Sequence, residues 1–217
     1  MSALSPEMLG RYDVPGPRYT SYPTADRFVE AFGEDDYLRA LDQRSVGVGA
    51  GSLPLSLYVH VPFCESLCYY CACNKIVTKH HEQGAAYLRY LTREVELHAA
   101  HLGAGRTVSQ LHLGGGTPTF LSDAELDALM AMLQRTFQFA PNGEYSIEID
   151  PRTIDDARLA HLRALGFNRL SYGVQDFDPA VQQAIHRVQS YESVRALTDS
   201  ARERGFASVN FDLIYGL

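Results

Sequence analysis

The sequence has no long apolar stretch, no excess of positive charge and no cysteine outside one short segment. No run of roughly 18 or more apolar residues occurs, so no membrane-spanning helix is predicted. Residues 1–6 lack the basic start and apolar core of a secretory signal peptide. The net charge is −7, with 26 acidic and 19 basic residues, which argues against broad nucleic-acid binding because such binding needs a basic face. Composition therefore predicts an ordinary globular domain with 46% hydrophobic residues.

Cysteine is scarce but informative. Only four cysteines occur, and they fall within ten residues of sequence, at Cys64, Cys68, Cys71 and Cys73. A secreted domain held by disulfides would spread its cysteines along the chain, so the clustering predicts a reducing, cytoplasmic compartment and a metal or redox site. A structural zinc ion usually takes ligands from two well-separated pairs, whereas the irons of a larger iron–sulfur cluster can be reached from one loop. The spacing favours an iron–sulfur cluster, and a zinc-binding structural module is the alternative.

Hydrophobic patterns that alternate between strand and helix periods begin after residue 54. Strands are predicted at 55–61, 108–113, 145–149, 169–174 and 209–215. Helices are predicted at 82–101, 122–137, 154–165, 179–185 and 192–204. Ser122 and Glu125 form a capping-box pattern, and Gly166 and Gly205 are positioned to end helices. Strands separated by helices predict an α/β fold with a parallel sheet, either open or closed into a barrel.

The N-terminal part of the chain is predicted to be an irregular extension. Residues 10–24 are rich in proline, glycine and tyrosine, which predicts an extended or turned segment rather than a helix. Residues 26–44 have room for one or two short helices, and the glycine-rich residues 45–52 predict a flexible connection. We therefore expect an extension over residues 1–52 and an α/β domain over residues 53–217. Because the sequence stops directly after the fifth predicted strand, we expect the domain to be truncated at its C-terminus.

Polar residues gather where the predicted strands end. The cysteines follow the first strand, three glycines follow the second, and acidic or amide side chains follow the others, including Glu148, Gln175 and Asp212. In open α/β sheets and in barrels the functional groups collect at the carboxyl ends of the strands. We therefore expect the cysteines and the glycines to serve one site.

Cys64, Cys68 and Cys71 are spaced as C-x3-C-x2-C, which resembles the cluster motif of the radical S-adenosylmethionine superfamily. The segment GGGTP at residues 114–118 is similar to the glycine motif of that superfamily, which lies against the methionine moiety. The resemblance implies that three thiolates hold a 4Fe-4S cluster and that S-adenosylmethionine chelates the fourth iron. Reduction then releases a 5'-deoxyadenosyl radical, so the cofactors supply the hard chemistry. The fold it implies is a partial (βα)6 TIM-like barrel.

Longer segments resemble the oxygen-independent coproporphyrinogen III oxidase (coproporphyrinogen dehydrogenase) family, whose chains extend further. These are PRYTSYPTA at 17–25, YVHVPFC at 58–64, CACNKI at 71–76, SIEIDPR at 146–152, GVQDF at 173–177 and DLIYGL at 212–217. The resemblance implies an oxidoreductase of haem and porphyrin biosynthesis that oxidatively decarboxylates two propionates of coproporphyrinogen III to vinyl groups, giving protoporphyrinogen IX. It also implies an electron donor such as flavodoxin or ferredoxin, two S-adenosylmethionine molecules and a monomer. The alternative is a haem chaperone that binds haem without oxidase activity.

The same resemblance assigns roles residue by residue. It implies that Cys64, Cys68 and Cys71 are the metal ligands and that Cys73 and Tyr58 are catalytic, Tyr58 also lying near the cofactor. The remaining implied cofactor-binding residues are Tyr70, Gly115, Gly116, Thr117, Glu148, Gln175, Arg187 and Asp212, with Gln175, Arg187 and Asp212 contacting a second S-adenosylmethionine.

Several of these residues have structural alternatives. Tyr58 could instead fill the core, and Arg187 could be a solvated arginine at a helix end. Glu148 and Asp212 could form salt bridges to Arg152 or Arg169, because an unpaired buried charge is costly.

Overall fold

The computed structural model describes residues 5–13, 24–44, 53–103 and 105–216. The chain forms two compact units, Met1–Leu41 and Asp42–Leu217. The predicted connection at 45–52 lies outside the described residues, so the predicted division after residue 52 stays a prediction. None of the helices in the described part of the chain is long and apolar enough to cross a bilayer.

The described residues before residue 45 form short helices. Helix α1 spans Pro6–Tyr12, a 3-10 turn spans Ala25–Arg27, and α2 begins at Glu34 and ends at Arg44. The prediction that residues 10–24 are not helical is wrong at its start, because the Ser5 side chain caps the backbone N–H of Met8 and Pro6 occupies the first turn, where proline is tolerated. Residues 14–23, which carry most of the PRYTSYPTA segment, lie outside the described residues.

The second unit alternates strands and helices. Its elements are β1 Leu55–Val61, β2 Phe63–Cys64, β3 Ile76–Val77, α3 Gln83–His101, β4 Thr107–Gly115, α4 Asp123–Thr136, β5 Gln138–Ile149, α5 Asp156–Ala164, β6 Arg169–Gln175, α6 Pro179–Ala184, α7 Tyr191–Glu203 and β7 Ser208–Leu213. Short 3-10 turns span Pro118–Phe120 and Pro151–Thr153. All five predicted strands and all five predicted helices are present, with shifts at their ends.

The main sheet has the order β1-β4-β5-β6-β7, and every neighbouring pair is parallel. Each strand therefore lies beside the next main strand in the chain. A doubly wound sheet reverses its order at a switch point, whereas a barrel winds in one direction. The unbroken order confirms the predicted α/β fold with a partial TIM-like barrel.

Local signals account for most helix ends. The capping box at the start of α4 is formed, with the Ser122 hydroxyl accepting from the Glu125 N–H and the Glu125 carboxylate accepting from the Ser122 N–H. Gly166 and Gly205 follow α5 and α7 with φ of 101° and 80°, a left-handed conformation that glycine adopts without a side-chain clash. The core lies between sheet and helices, and Tyr172 and Phe167 are among its largest fully buried side chains.

The short strands β2 and β3 were not predicted. They pair in parallel, and the Thr78 N–H donates to the Cys64 carbonyl at 2.9 Å. This pairing brings the chain that leaves the cysteines back beside the chain that enters them. The cysteine loop, residues 64–73, is thereby closed at its base near the carboxyl end of β1.

A cavity at the carboxyl ends of the strands

One cavity of about 240 Å3 lies where the main strands end. Every candidate site residue except Tyr58 lines it, namely Cys64, Cys68, Tyr70, Cys71, Cys73, Gly115, Gly116, Thr117, Glu148, Gln175, Arg187 and Asp212. The cysteines and the glycines line the same cavity, because parallel strands bring their carboxyl ends to the same edge of the sheet.

The four cysteines of the loop line this cavity. Cys64, Cys68 and Cys71 are half-buried and Cys73 is exposed. Burial raises the pKa of the Cys64 thiol, and a contact with the Thr117 hydroxyl at 3.6 Å partly opposes that rise. Among the described residues, no three His, Cys, Asp or Glu side chains converge closely enough to hold one metal ion.

Two guanidinium groups face the sulfur of Cys68. Arg187 donates from Nη1 to Cys68 Sγ at 3.2 Å and from Nε to the Gly173 carbonyl at 2.8 Å. Arg152 approaches the same sulfur through Nη2 at 3.9 Å. The Arg187 side chain is only 8% exposed, so the solvated alternative for Arg187 is wrong. Both guanidinium groups therefore place positive charge beside this sulfur.

Asp150 joins the two guanidinium groups. Its carboxylate lies 2.6 Å from Arg152 Nη2 and 3.4 Å from Arg187 Nη2. Burial alone would raise the pKa of Asp150, but the hydrogen bonds from Arg152 and the charge of Arg187 outweigh it and hold the pKa below its ordinary value. The Asp150 carboxyl group therefore remains ionised near neutral pH.

Two further carboxylates, Glu148 and Asp212, lie near the carboxyl ends of β5 and β7 and line the same cavity. Glu148 accepts the Gly115 N–H at 3.0 Å and lies 3.0 Å from His112 Nε2. The pKa of Asp212 is raised by burial and by the charge of Glu148, against an opposing hydrogen bond from Ser171. Two acidic groups in one cavity favour a cationic ligand.

The salt-bridge alternative for these two acids is wrong. Arg152 pairs with Asp150, and Arg169 pairs with Glu144 at 2.6 Å on the surface.

The glycine segment comes close to the base of the cysteine loop. A Cβ on Gly116 would lie 2.6 Å from the carbonyl oxygen of Phe63, and Gly115 has a φ of 113°. The Gly116 and Thr117 amides donate to the Val61 and Phe63 carbonyls at 2.8 Å each. A side chain at Gly116 would separate the two backbones, and one at Gly115 would meet the His60 ring, so this segment is more than a turn.

Tyr58 is the candidate that the cavity does not include. Its side chain is exposed, so the alternative of a core tyrosine is wrong. Its hydroxyl lies 3.1 Å from His60 Nδ1, and its ring stacks on His112 with centroids 5.7 Å apart. Burial and the charges of Glu148 and Cys73 raise the pKa of Tyr58, which locates it near the same acidic groups.

Tyr70 and Gln175 line the cavity. Burial raises the pKa of Tyr70 strongly, against the lowering effect of the Arg187 charge. Gln175 is buried and has a φ of 72°, which is uncommon for a residue other than glycine and costs backbone strain. Strain of this kind is concentrated at functional sites.

Three residues near the cysteines were missed as site residues, Asp150, Arg152 and Lys75. The Lys75 ammonium donates to the Cys71 carbonyl at 2.9 Å and lines the cavity. Asp150 carried a readable signal, since it ends a predicted strand. The role of Arg152 depends on its contact with Cys68, 84 positions away in the chain.

The described features match those of known proteins. A family model described as the Radical SAM superfamily matches residues 58–217. The chain is 51% identical over 214 residues to the oxygen-independent coproporphyrinogen III oxidase of Pseudomonas aeruginosa, covering 97% of this chain and 45% of that protein. It is 53% identical over 210 residues to the enzyme of the same name from Escherichia coli, covering 97% of this chain and 44% of that protein.

The solved structure of coproporphyrinogen III oxidase from Escherichia coli, a radical SAM enzyme, is similar with a TM-score of 0.85 at 51% identity. The match covers 96% of this chain and 45% of that one. The chain spans about half the length of the curated relatives it matches. These matches confirm the resemblance drawn from the cysteine spacing, and the family implies a 4Fe-4S cluster and S-adenosylmethionine as cofactors. The chain belongs to the radical S-adenosylmethionine superfamily.

Proposed function

We propose that this chain serves an oxygen-independent coproporphyrinogen III oxidase, an oxidoreductase of haem biosynthesis. The reaction converts two propionates of coproporphyrinogen III to vinyl groups, with loss of carbon dioxide, and gives protoporphyrinogen IX. The observation that carries the proposal is one cavity that joins the C-x3-C-x2-C thiols to the glycine segment and to strand-end acids. Relatives named for this activity are 51% and 53% identical to the chain, and they favour the oxidase over the haem chaperone.

Cys64, Cys68 and Cys71 would hold the 4Fe-4S cluster. When bound, the cluster and S-adenosylmethionine supply the one-electron chemistry that starts hydrogen removal from the substrate. The chain's own residues support this ligand set, because Arg187 and Arg152 direct guanidinium N–H groups at the Cys68 sulfur. The Thr117 hydroxyl contacts the Cys64 sulfur and so limits the movement of that side chain.

Glu148 and Asp212 would orient the positively charged groups of S-adenosylmethionine. Glu148 is already aimed by the Gly115 N–H and by His112, so little rearrangement is needed for it to accept from an ammonium group. Gly115 and Gly116 let the backbone lie near the ligand, and Tyr70 closes the cavity wall. A second S-adenosylmethionine at Gln175, Arg187 and Asp212 is part of the proposal, supported by the burial of Arg187 and Gln175 beside the cavity.

Cys73 and Tyr58 are proposed to act on the substrate side. Cys73 lines the cavity but is not needed by a cluster that takes three thiolates. Tyr58 is exposed next to the acids that line the cavity, where a large substrate can reach its hydroxyl. An electron donor such as flavodoxin or ferredoxin, a monomeric state and a cytoplasmic location complete the proposal.

The test is anaerobic turnover of the reconstituted protein with coproporphyrinogen III, a low-potential reductant and S-adenosylmethionine. Products are separated by chromatography and detected by porphyrin fluorescence after oxidation. The proposal predicts vinyl-bearing product that requires S-adenosylmethionine and disappears in Cys64→Ala. Stoichiometric haem binding with no decarboxylated product would support the chaperone instead. A protein that takes up zinc and no iron would contradict both.

A further inference from the structure

The cysteine loop is held from one side by a three-residue segment, residues 185–187, which follows α6. The Tyr69 N–H donates to the Ile185 carbonyl at 3.1 Å. His186 Nδ1 lies 2.9 Å from the Leu67 carbonyl, which requires that this nitrogen carries the proton and donates it. The remaining contact is the Arg187 hydrogen bond to the Cys68 sulfur. Consecutive residues of one segment thus contact consecutive residues of the loop.

His186 has an unusual backbone at the centre of this arrangement. Its φ is 59°, in the left-handed region that residues other than glycine rarely adopt. Its own ring stacks on the Tyr69 ring, with centroids 5.4 Å apart and planes inclined by 19°. Its carbonyl also accepts from Arg152 Nη1 at 3.3 Å. Strain at a residue with so many contacts to one loop indicates that the turn is maintained by those contacts.

We infer that His186 is a positioning residue that fixes the cysteine loop in a shape ready to receive its cluster. The left-handed turn lets the Ile185 carbonyl reach Tyr69 while the His186 ring caps the Leu67 carbonyl. The two contacts are made at Leu67 and Tyr69, the residues that flank Cys68 in the chain, so they limit the movement of its thiol. His186 itself touches neither the cavity nor a proposed cofactor. The inference rests on the proposed cluster role only for its second readout below.

The first readout is amide hydrogen exchange at Tyr69, measured on the anaerobically purified chain before iron and sulfide are added. His186→Ala puts a Cβ-bearing residue without a capping side chain in the left-handed turn, and the Tyr69 amide is expected to exchange about 5- to 30-fold faster. His186→Asn, which tolerates this backbone and retains a donor, is expected to restore most of the protection. His186→Gly keeps the turn without the ring and is expected to fall between them.

The matched control is His161→Ala, because His161 also pairs across two elements, with Asp127 at 3.1 Å, but does not touch the loop. It is expected to leave Tyr69 exchange unchanged. Exchange at Ile147, in the middle of the sheet, reports whether any variant opens the whole fold. Wild-type exchange at Tyr69 in His186→Ala would overturn the inference. Equal acceleration of Tyr69 exchange in the Ala, Gly and Asn variants would overturn it as well. The inference would also fail if Tyr69 exchange rose only in variants in which Ile147 exchange rose by the same factor.

The second readout is the rate at which a chelator bleaches the reconstituted cluster, followed by its visible absorbance. His186→Ala is expected to lose the cluster several-fold faster than wild type, and His186→Asn is expected to behave like wild type. If the wild-type chain takes up no cluster, the proposed function fails while the exchange result still decides the inference. Equal bleaching rates in wild type and His186→Ala would contradict the positioning role.

Discussion

Asp150→Asn tests most strictly whether the buried charges of the cavity wall stabilise the fold. Its side chain is 7% exposed and bridges Arg152 and Arg187, which are themselves largely buried. Asp150→Asn keeps the size of the side chain but removes its negative charge. Two guanidinium groups are then left beside Cys68 without their shared counter-ion.

The expected cost follows from the burial of this triad. Removing one partner of a buried ion pair typically destabilises a protein by about 3–5 kcal/mol, because an uncompensated charge stays in a poorly solvated place. That is a large part of the roughly 5–15 kcal/mol that separates folded from unfolded states. The matched control is Glu144→Gln, which breaks the exposed pair with Arg169 and is expected to cost about 0–1 kcal/mol.

The lowered pKa of Asp150 sets the direction in which stability changes with pH. The folded pKa of Asp150 lies below its ordinary value of 3.8, so its contribution to stability is fully present above that value. The contribution is lost as the pH falls through the lower folded pKa. The difference in unfolding free energy between wild type and Asp150→Asn should therefore be full at pH 7 and should shrink as the pH falls below 3.8.

Urea unfolding followed by circular dichroism, under reducing and anaerobic conditions, measures the loss of unfolding free energy and its dependence on pH. An Asp150→Asn variant as stable at pH 7 as Glu144→Gln would refute the reasoning. A difference from wild type that stays constant or grows as the pH falls through the acid range would refute it too, since it would mean that the Asp150 carboxylate is not stabilised by its partners.

Three further predictions concern the cofactor site. Gly116→Ala should lower the free energy of unfolding by about 1–3 kcal/mol in chemical denaturation, because its Cβ would meet the Phe63 carbonyl oxygen of β2 at 2.6 Å. Gly33 has open space around it, so Gly33→Ala should leave that free energy unchanged. Equal effects of the two changes would contradict the close approach of Gly116 to β2. Cys71→Ser should abolish the absorbance of the reconstituted cluster and Cys73→Ser should leave it intact, and loss in both would make Cys73 a ligand. Glu148→Gln should weaken S-adenosylmethionine binding about 10- to 100-fold in calorimetry of the reconstituted protein, and unchanged affinity would remove Glu148 from the site.

Much of the fold was readable because its strands and helices carry regular periods. The strand Leu55–Val61 alternates over seven residues and was predicted with both ends correct. Strand β5 begins at Gln138 rather than at residue 145, because Gln138 and Phe139 already pair with β4. Pro141 and Gly143 suggest a turn, and they fall in a register shift before the pairing resumes at Glu144. Strands of two residues, such as β2, are too short to carry a period at all.

Spacing and strand ends predicted that the cysteines, the glycines and the strand-end acids lie together, and the family resemblance supplied the individual roles, including those of Tyr58, Tyr70 and Arg187. They could not show which charges pair. Arg187 was predicted to bind a cofactor, with a solvated arginine as the alternative, and neither reading showed its contact with Cys68, 119 positions away. The left-handed backbone of His186 carries no sequence signal either, because a non-glycine residue in that conformation is maintained by tertiary contacts.

The central claim is that three thiols hold a cluster whose remaining iron is open to S-adenosylmethionine. It is tested most directly by anaerobic reconstitution with iron and sulfide, followed by electron paramagnetic resonance of the reduced protein with and without S-adenosylmethionine. The account predicts a 4Fe-4S signal that changes when S-adenosylmethionine is added. A cluster signal indifferent to S-adenosylmethionine, or bound zinc with no cluster, would contradict it.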